Sequence, residues 1–125
     1  MHCVGTDIIE IARIEQAIKD WGERFLRRVF THAELEQCRM NISSLAARFA
    51  GKEAVYKAIG VTNQGIGWKD VEILSGPRAA PAVRLHGAAL TCAAKLGIEH
   101  LAISLSHSRE YAIALVVGEQ KNTNS

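Results

Sequence analysis

The chain has 125 residues, 48% of them hydrophobic, and a formal net charge of +2. That length and composition point to one domain with a real core and argue against disorder over most of the chain. The small net charge excludes a general nucleic-acid or membrane binder, so any functional positive charge must be local. Cys3, Cys38 and Cys92 form no CxxC pair, which suits free thiols in a reducing, cytoplasmic setting. The opening residues reach the charged Asp7 and Glu10 too soon for a signal peptide. The longest apolar run, near "YAIALVVG", is too short to span a bilayer.

"HCVGTDI" reads as a strand ending near Asp7. Ile11, Ile14, Ala17, Ile18 and Trp21 recur at helical spacing, and Gly22 ends or kinks that helix. A short helical piece follows over Arg24 to Val29. "THAE", Thr31 to Glu34, has the pattern of a capping box and predicts another helix. "NISS" supplies N-caps for a long helix over Leu45 to Ile59, with Gly60 as its stop. Val71 and Ile73, then Val83 and Leu85, alternate as strands around the turn "SGPRAAP". "GAALTCAAKLG" predicts a helix closed by Gly97. "LAISLSH" and "YAIALVVG" predict a hairpin turned by "SRE". The expectation is an α+β domain over 1–118, mainly antiparallel, with a long central helix and a polar tail over 119–125.

The long helix carries unusual chemistry. On a helical wheel Ala46, Phe49, Ala50, Glu53 and Lys57 share one broad face; Arg48, Lys52, Val55 and Ile59 share another. Glu53 and Lys57 are four apart and can pair at the surface, for about 0.3–0.5 kcal/mol. Yet their face also holds Phe49 and two alanines, so they need partners from elsewhere if it packs. Asp7, at a strand end, offers itself. Two distant carboxylates without a histidine cluster suit magnesium, which takes carboxylates, waters and substrate phosphates. The competing reading makes Asp7 the N-cap of the next helix. Lys52 is left as a solvated or intersubunit charge. His107 ends an alternating strand beside Ser104 and Ser106; His2, His32, His86 and His100 have no comparable setting.

These segments carry a resemblance. "VGTDIIEIARI" resembles G-x-D-[IV]-x-E-x-x-R-[IV], and "RFLRRVFTHAELEQC" resembles R-[FL]-x-x-R-[IV]-[FL]-T-x-x-E. "RFAGKEAVYKAIG" resembles R-[FW]-A-x-K-E-A-x-x-K-A-[LF]-G, the most specific of the set, and "ISLSH" stands where "VSISH" is expected. The chain therefore resembles the holo-acyl carrier protein synthase family of the 4′-phosphopantetheinyl transferase superfamily, over nearly its whole length. The resemblance implies transfer of 4′-phosphopantetheine from coenzyme A to a serine of apo acyl carrier protein, in fatty acid biosynthesis. It implies Mg2+ held by Asp7 and Glu53, and Lys57 on the pyrophosphate with Arg48 and His107 near the 3′-phosphate. It implies Glu53 and Lys57 as the catalytic pair, and Arg13, Arg24, Phe25 and Arg28 facing the acidic carrier. It also implies a homotrimer with sites between subunits. Two stretches depart from the family pattern: "VTNQGIGW", Val61 to Trp68, replaces a T-G loop, and "GPRAAP" replaces a G-[KR]-P turn. Neither removes an implied ligand. Two enzyme-level readings remain, an acyl carrier protein of fatty acid synthesis or another carrier such as one of polyketide synthesis. A non-catalytic coenzyme A or carrier binder and a purely structural domain are the alternatives outside enzymology.

Overall fold

The computed structural model describes residues 1–60 and 65–121. β1 (His2–Glu10) leads into α1 (Ile11–Trp21), α2 (Glu23–Val29), α3 (His32–Cys38) and α4 (Ile42–Ile59). β2 (Val71–Ser75), β3 (Pro81–Leu85), α5 (Gly87–Lys95), β4 (Ile98–His107) and β5 (Tyr111–Gln120) complete the chain. One antiparallel sheet has the order β1-β5-β4; β2 and β3 form a separate antiparallel pair. This is the expected α+β class.

Local chemistry explains the element ends. Thr31 caps α3 reciprocally: its hydroxyl accepts from the Glu34 amide, and its own amide donates to Glu34 Oε1 at 2.8 Å. Asn41 caps α4 by accepting from the Ser44 amide at 3.0 Å, so the helix starts three residues before the expected Leu45. Gly60 closes it in the left-handed conformation, φ 72°. β1 runs past Asp7 to Glu10 because its pairing with β5 continues to Tyr111. β5 likewise extends to Gln120, two residues into the expected polar tail. Residues 122–125 of that tail, and Val61 to Gln64 of the departing loop, lie outside the described residues.

α4 is the axis of the molecule. Its buried positions, from Leu45 through Ile59, run nearly around its circumference, as in a helix covered on several sides. The small residues let neighbours come close. A Cβ on Gly5 would collide with the Ala54 carbonyl and lie 2.7 Å from the Ala58 amide, so β1 rests directly on α4. A Cβ on Gly51 would meet Ile73, Ile103 and Leu105, so β2 and β4 meet the helix there. One core cluster unites α4 with Val71, Ile73, Ala114 and Val116; another joins Ile14, Leu26, Val29 and Phe30 to Leu45 and Ala46.

The α1 stripe is only partly buried. Ile14 is fully enclosed, whereas Trp21, expected in the same stripe, is 61% exposed. The outer face of the three-stranded sheet is also left uncovered by the described residues. By register Val4, Val117 and Ala102 form one row; Thr6, Leu115 and Ser104 the next; Ile8, Ile113 and Ser106 a third. Val4 and Ile8 are each 58% exposed, and Ile113, Leu115 and Val117 are exposed too.

Candidate active site

β1 and α4 build the first half-site. The period of two in β1 turns Asp7 to the same side as Gly5, toward α4. Asp7 Oδ1 accepts from Lys57 Nζ at 3.0 Å, and the same ammonium donates to the Thr6 carbonyl at 3.1 Å. Lys57 thus pairs with Asp7 rather than with Glu53, because β1 lies across the helix where an i, i+4 pair would have formed. Asp7 does not cap α1 either: the N-cap is Glu10, with no side-chain cap bond.

Glu53 completes the cluster. Among the described residues its carboxylate has no ion-pair partner. Burial pushes its pKa above the usual carboxylate range, the Asp7 charge adds to that, and Lys57 only partly offsets both. Two mutually repelling carboxylates with one shared lysine are short of positive charge. No group of three or more His, Cys, Asp or Glu exists among the described residues that could hold a metal. The donor set therefore does not suit zinc in an all-protein cage. It does fit magnesium, a hard ion that takes one or two carboxylates and fills its shell with water and phosphate oxygens.

An aromatic trio includes the i−4 and i+3 neighbours of Glu53 on α4, Phe49 and Tyr56. Trp68 stacks on Phe49 with centroids 4.9 Å apart and tilts on Tyr56 at 5.5 Å. The Tyr56 hydroxyl donates to the Gly67 carbonyl at 2.9 Å. Burial, with the Glu53 and Asp70 charges, pushes the Tyr56 phenol up to about 12, so it stays a neutral donor.

Arg48 and His107 form a second half-site. They line one cleft of about 180 Å³ with Ser44, Ala47, Ser75, Pro81, Leu105 and Ser106. The Arg48 guanidinium is nearly buried, at 7% exposure, and is held by the Ile73 carbonyl at 3.1 Å and Ser75 Oγ at 3.0 Å. Asp7, on β1, and His107, on β4, stand on opposite edges of the sheet with β5 between them. Along α4, Arg48 and Lys57 are separated by about 14 Å of rise. The expected residues therefore assemble as two clusters, not one. Ser106 was noted in the sequence beside His107, whereas Ser44, Ser75 and Pro81 were read only as cap and turn residues; such residues carry no further signal until the fold gathers them.

Lys52 departs most from expectation. It is neither solvated nor at a surface. Its ammonium is fully enclosed, paired with Glu34 Oε1 at 2.8 Å, and lies over the Phe30 ring. Burial pulls its pKa down and the Glu34 carboxylate pulls it back up.

A third feature sits on α1 and α2. Arg24, Phe25, Arg28 and the exposed Trp21 line a mainly apolar cleft of about 300 Å³. Arg13, exposed on α1, is not part of its lining. Neither Arg24 nor Arg28 has an acidic partner among the described residues; the nearby ion pair is Arg27 with Glu23, at 2.8 Å.

The chain is similar to known proteins over most of its length. The chain is 50% identical to the holo-[acyl-carrier-protein] synthase of Herpetosiphon aurantiacus, covering 94% of this chain and 98% of the relative. It is 53% identical to that of Dehalococcoides mccartyi, over 95% of this chain and 99% of the relative. A solved structure of the Helicobacter pylori holo-[acyl-carrier-protein] synthase, in complex with coenzyme A, superposes with a TM-score of 0.85 at 35% identity, over 93% of this chain and 99% of that one. A family model described as the 4′-phosphopantetheinyl transferase superfamily matches residues 3–116, and the chain belongs to that superfamily.

Proposed function

We propose that this chain is a holo-acyl carrier protein synthase, an enzyme that moves 4′-phosphopantetheine from coenzyme A to a serine of apo acyl carrier protein. The observation that carries it is the Asp7–Lys57–Glu53 cluster at the β1–α4 contact: two carboxylates short of cations beside a lysine, suited to a diphosphate. The similarity to proteins of that name, one of them bound to coenzyme A, supports the same reading.

In the transfer, the serine oxygen bonds to the phosphorus that bears the pantetheine arm. The bond from that phosphorus to the bridging pyrophosphate oxygen breaks, and adenosine 3′,5′-bisphosphate leaves. Lys57 steadies the charge that grows on the departing oxygen. Arg48 and His107 hold the 3′-phosphate, which sets the nucleotide's direction relative to the diphosphate. Glu53 takes the serine proton directly or through a water. Asp7 and Glu53 would also hold Mg2+, which when bound neutralises charge on the diphosphate and on the leaving bisphosphate.

The active unit we infer is a homotrimer with sites between subunits. The two clusters stand on opposite edges of the sheet, and Arg48 and His107 line a cleft that holds neither Asp7 nor Glu53, which supports completion of each site by a neighbouring copy. The apolar outer sheet face is the surface whose burial would bring copies together. Arg24, Arg28 and Arg13 steer an acidic carrier, while Phe25 and Trp21 offer it an apolar seat. No described helix is long and apolar enough to cross a membrane. With three free cysteines, the setting we infer is the cytoplasm, in fatty acid biosynthesis.

Mass spectrometry of apo acyl carrier protein, incubated with this protein, coenzyme A and magnesium, tests the reading. The expected result is a carrier heavier by one phosphopantetheine on its serine. An unmodified carrier, with the same sample active toward a polyketide carrier, would move the assignment to that alternative. No transfer to either would end it.

A further inference from the structure

Lys52 precedes Glu53, yet its side chain leaves in another direction and ends in the interior. Every donor of its ammonium is spent within the chain: on Glu34 Oε1 at 2.8 Å, on the Trp68 carbonyl at 3.0 Å and on the Val71 carbonyl. Nothing is left for a substrate. Glu34 is equally committed. It accepts from the Thr31 amide at 2.8 Å and, through Oε2, from the Ile73 amide at 2.8 Å. Together these bonds tie α3, β2 and the 68–71 turn to α4 at the position next to Glu53.

A second tether acts on the same turn. The Tyr56 hydroxyl holds the Gly67 carbonyl. Between the tethers, the Trp68 ring lies on Phe49 and Tyr56. Those residues are the i−4 and i+3 neighbours of Glu53 on α4, which puts the indole on the helix surface next to the position from which the Glu53 side chain leaves. An enclosed ion pair is poor evidence for stability, since apolar groups of similar volume often replace one without loss. What apolar groups cannot do is address two carbonyls of one turn and set its place.

We propose that the Lys52–Glu34 pair, with the Tyr56 hydroxyl, is a positioning clamp for the transfer: it fixes the Trp68 turn on α4 so that the indole walls one side of Glu53. The inference rests on the reading of Glu53 as part of the transfer site. Lys52 and Glu34 touch no reacting atom and act through Trp68.

The test uses the full-length protein with coenzyme A, magnesium and apo acyl carrier protein. The variants are Lys52→Met/Glu34→Gln, Trp68→Leu, and the three changes combined. The double variant is expected to melt cooperatively and elute as the parent does. Its kcat should fall roughly ten-fold, with KM for both substrates within about two-fold. Trp68→Leu should lose a similar factor, and the combined variant no more than Trp68→Leu alone, because one ring carries both effects. An unchanged kcat in the folded double variant, or losses that multiply, would overturn the clamp. Should the double variant fail to fold, Tyr56→Phe carries the test. It is expected to lower kcat several-fold in the parent and not at all in the Trp68→Leu background; an unchanged kcat in the parent overturns the proposal. A parent protein that modifies no carrier sinks the transferase reading itself, whereas an active parent with unaffected variants sinks only the clamp.

Discussion

Glu53 holds a charge that the fold disfavours. Burial first, then the Asp7 carboxylate, raise its pKa, and Lys57 only partly compensates. The folded state therefore keeps the proton more tightly than the unfolded chain. The stability this group contributes is present below the ordinary carboxylate value of 4.5 and is lost as pH rises through the raised one. Glu53→Gln removes that loss. Its melting temperature should exceed the parent's near neutral pH and match it in mild acid, while transfer falls by roughly a hundred-fold or more. Thermal melts at both pH values, beside a transfer assay, check the pair of outcomes; a variant less stable than the parent at neutral pH would contradict the electrostatic account. Magnesium with coenzyme A should raise the parent's melting temperature by mass action and leave that of Asp7→Asn/Glu53→Gln unmoved. Glu53 and Lys57 were legible as unusual because charges on a packing face need an explanation. Asp7 was legible as a partner from elsewhere, and the ion pair with Lys57 meets that expectation; that Lys57 would pair with it in place of Glu53 was not, since spacing along a helix is blind to a strand crossing it.

The long helix and the first strand act as one element. Their contact depends on Gly5, where any side chain meets the Ala54 carbonyl. Gly5→Ala should destabilise the fold by about 1–3 kcal/mol, the usual cost of overpacking. It should also lower transfer, because β1 carries Asp7 and would be pushed off α4. Denaturant unfolding and the transfer assay measure the two effects; a variant with parental stability would mean the strand can shift freely. The helices and their caps were readable from Thr31, Asn41 and Gly60, because capping is local chemistry. Several ends were misjudged: α4 starts at Ile42, β1 ends at Glu10, β4 starts at Ile98 and β5 runs to Gln120. In β1, pairing with β5 decided the boundary, and pairing depends on a strand more than 100 residues away in sequence. Trp21 shows the same limit: it keeps helical spacing with Ile14 and Ile18 but projects beyond the last neighbour able to cover it.

At the scale of the molecule, the proposed intersubunit site links the two clusters to the bare sheet face. If copies of the chain complete each other's sites, two inactive variants should rescue one another. Glu53→Gln disables the half-site on α4 and β1, and His107→Ala disables the one at the β4 end. Co-expressed in equal amounts, they should form mixed trimers in which about a quarter of the sites are intact, half times half, by random assembly. A transfer assay on the mixed sample reads this directly; activity no higher than the sum of the separate variants would place the whole site in one chain. Leu115→Asp, in the middle row of the exposed face, should give a folded, smaller species in light scattering with little transfer. A variant of unchanged size would put the contact elsewhere.

The chain's own residue pattern determined the helix and strand order and the α+β class, which follow from periodicity and capping, encoded within a few residues; the candidate site side chains came from the short motifs that carry the family resemblance. The tertiary structure decided which charges meet and which are buried. Lys52 and Lys57 fall on different faces of the wheel, and the wheel does not say which is buried: one is sealed against Glu34 and the other reaches Asp7 at the edge of the cluster. The reason is physical: the worth of a charge depends on its solvent and its partners, and both come from segments distant in sequence.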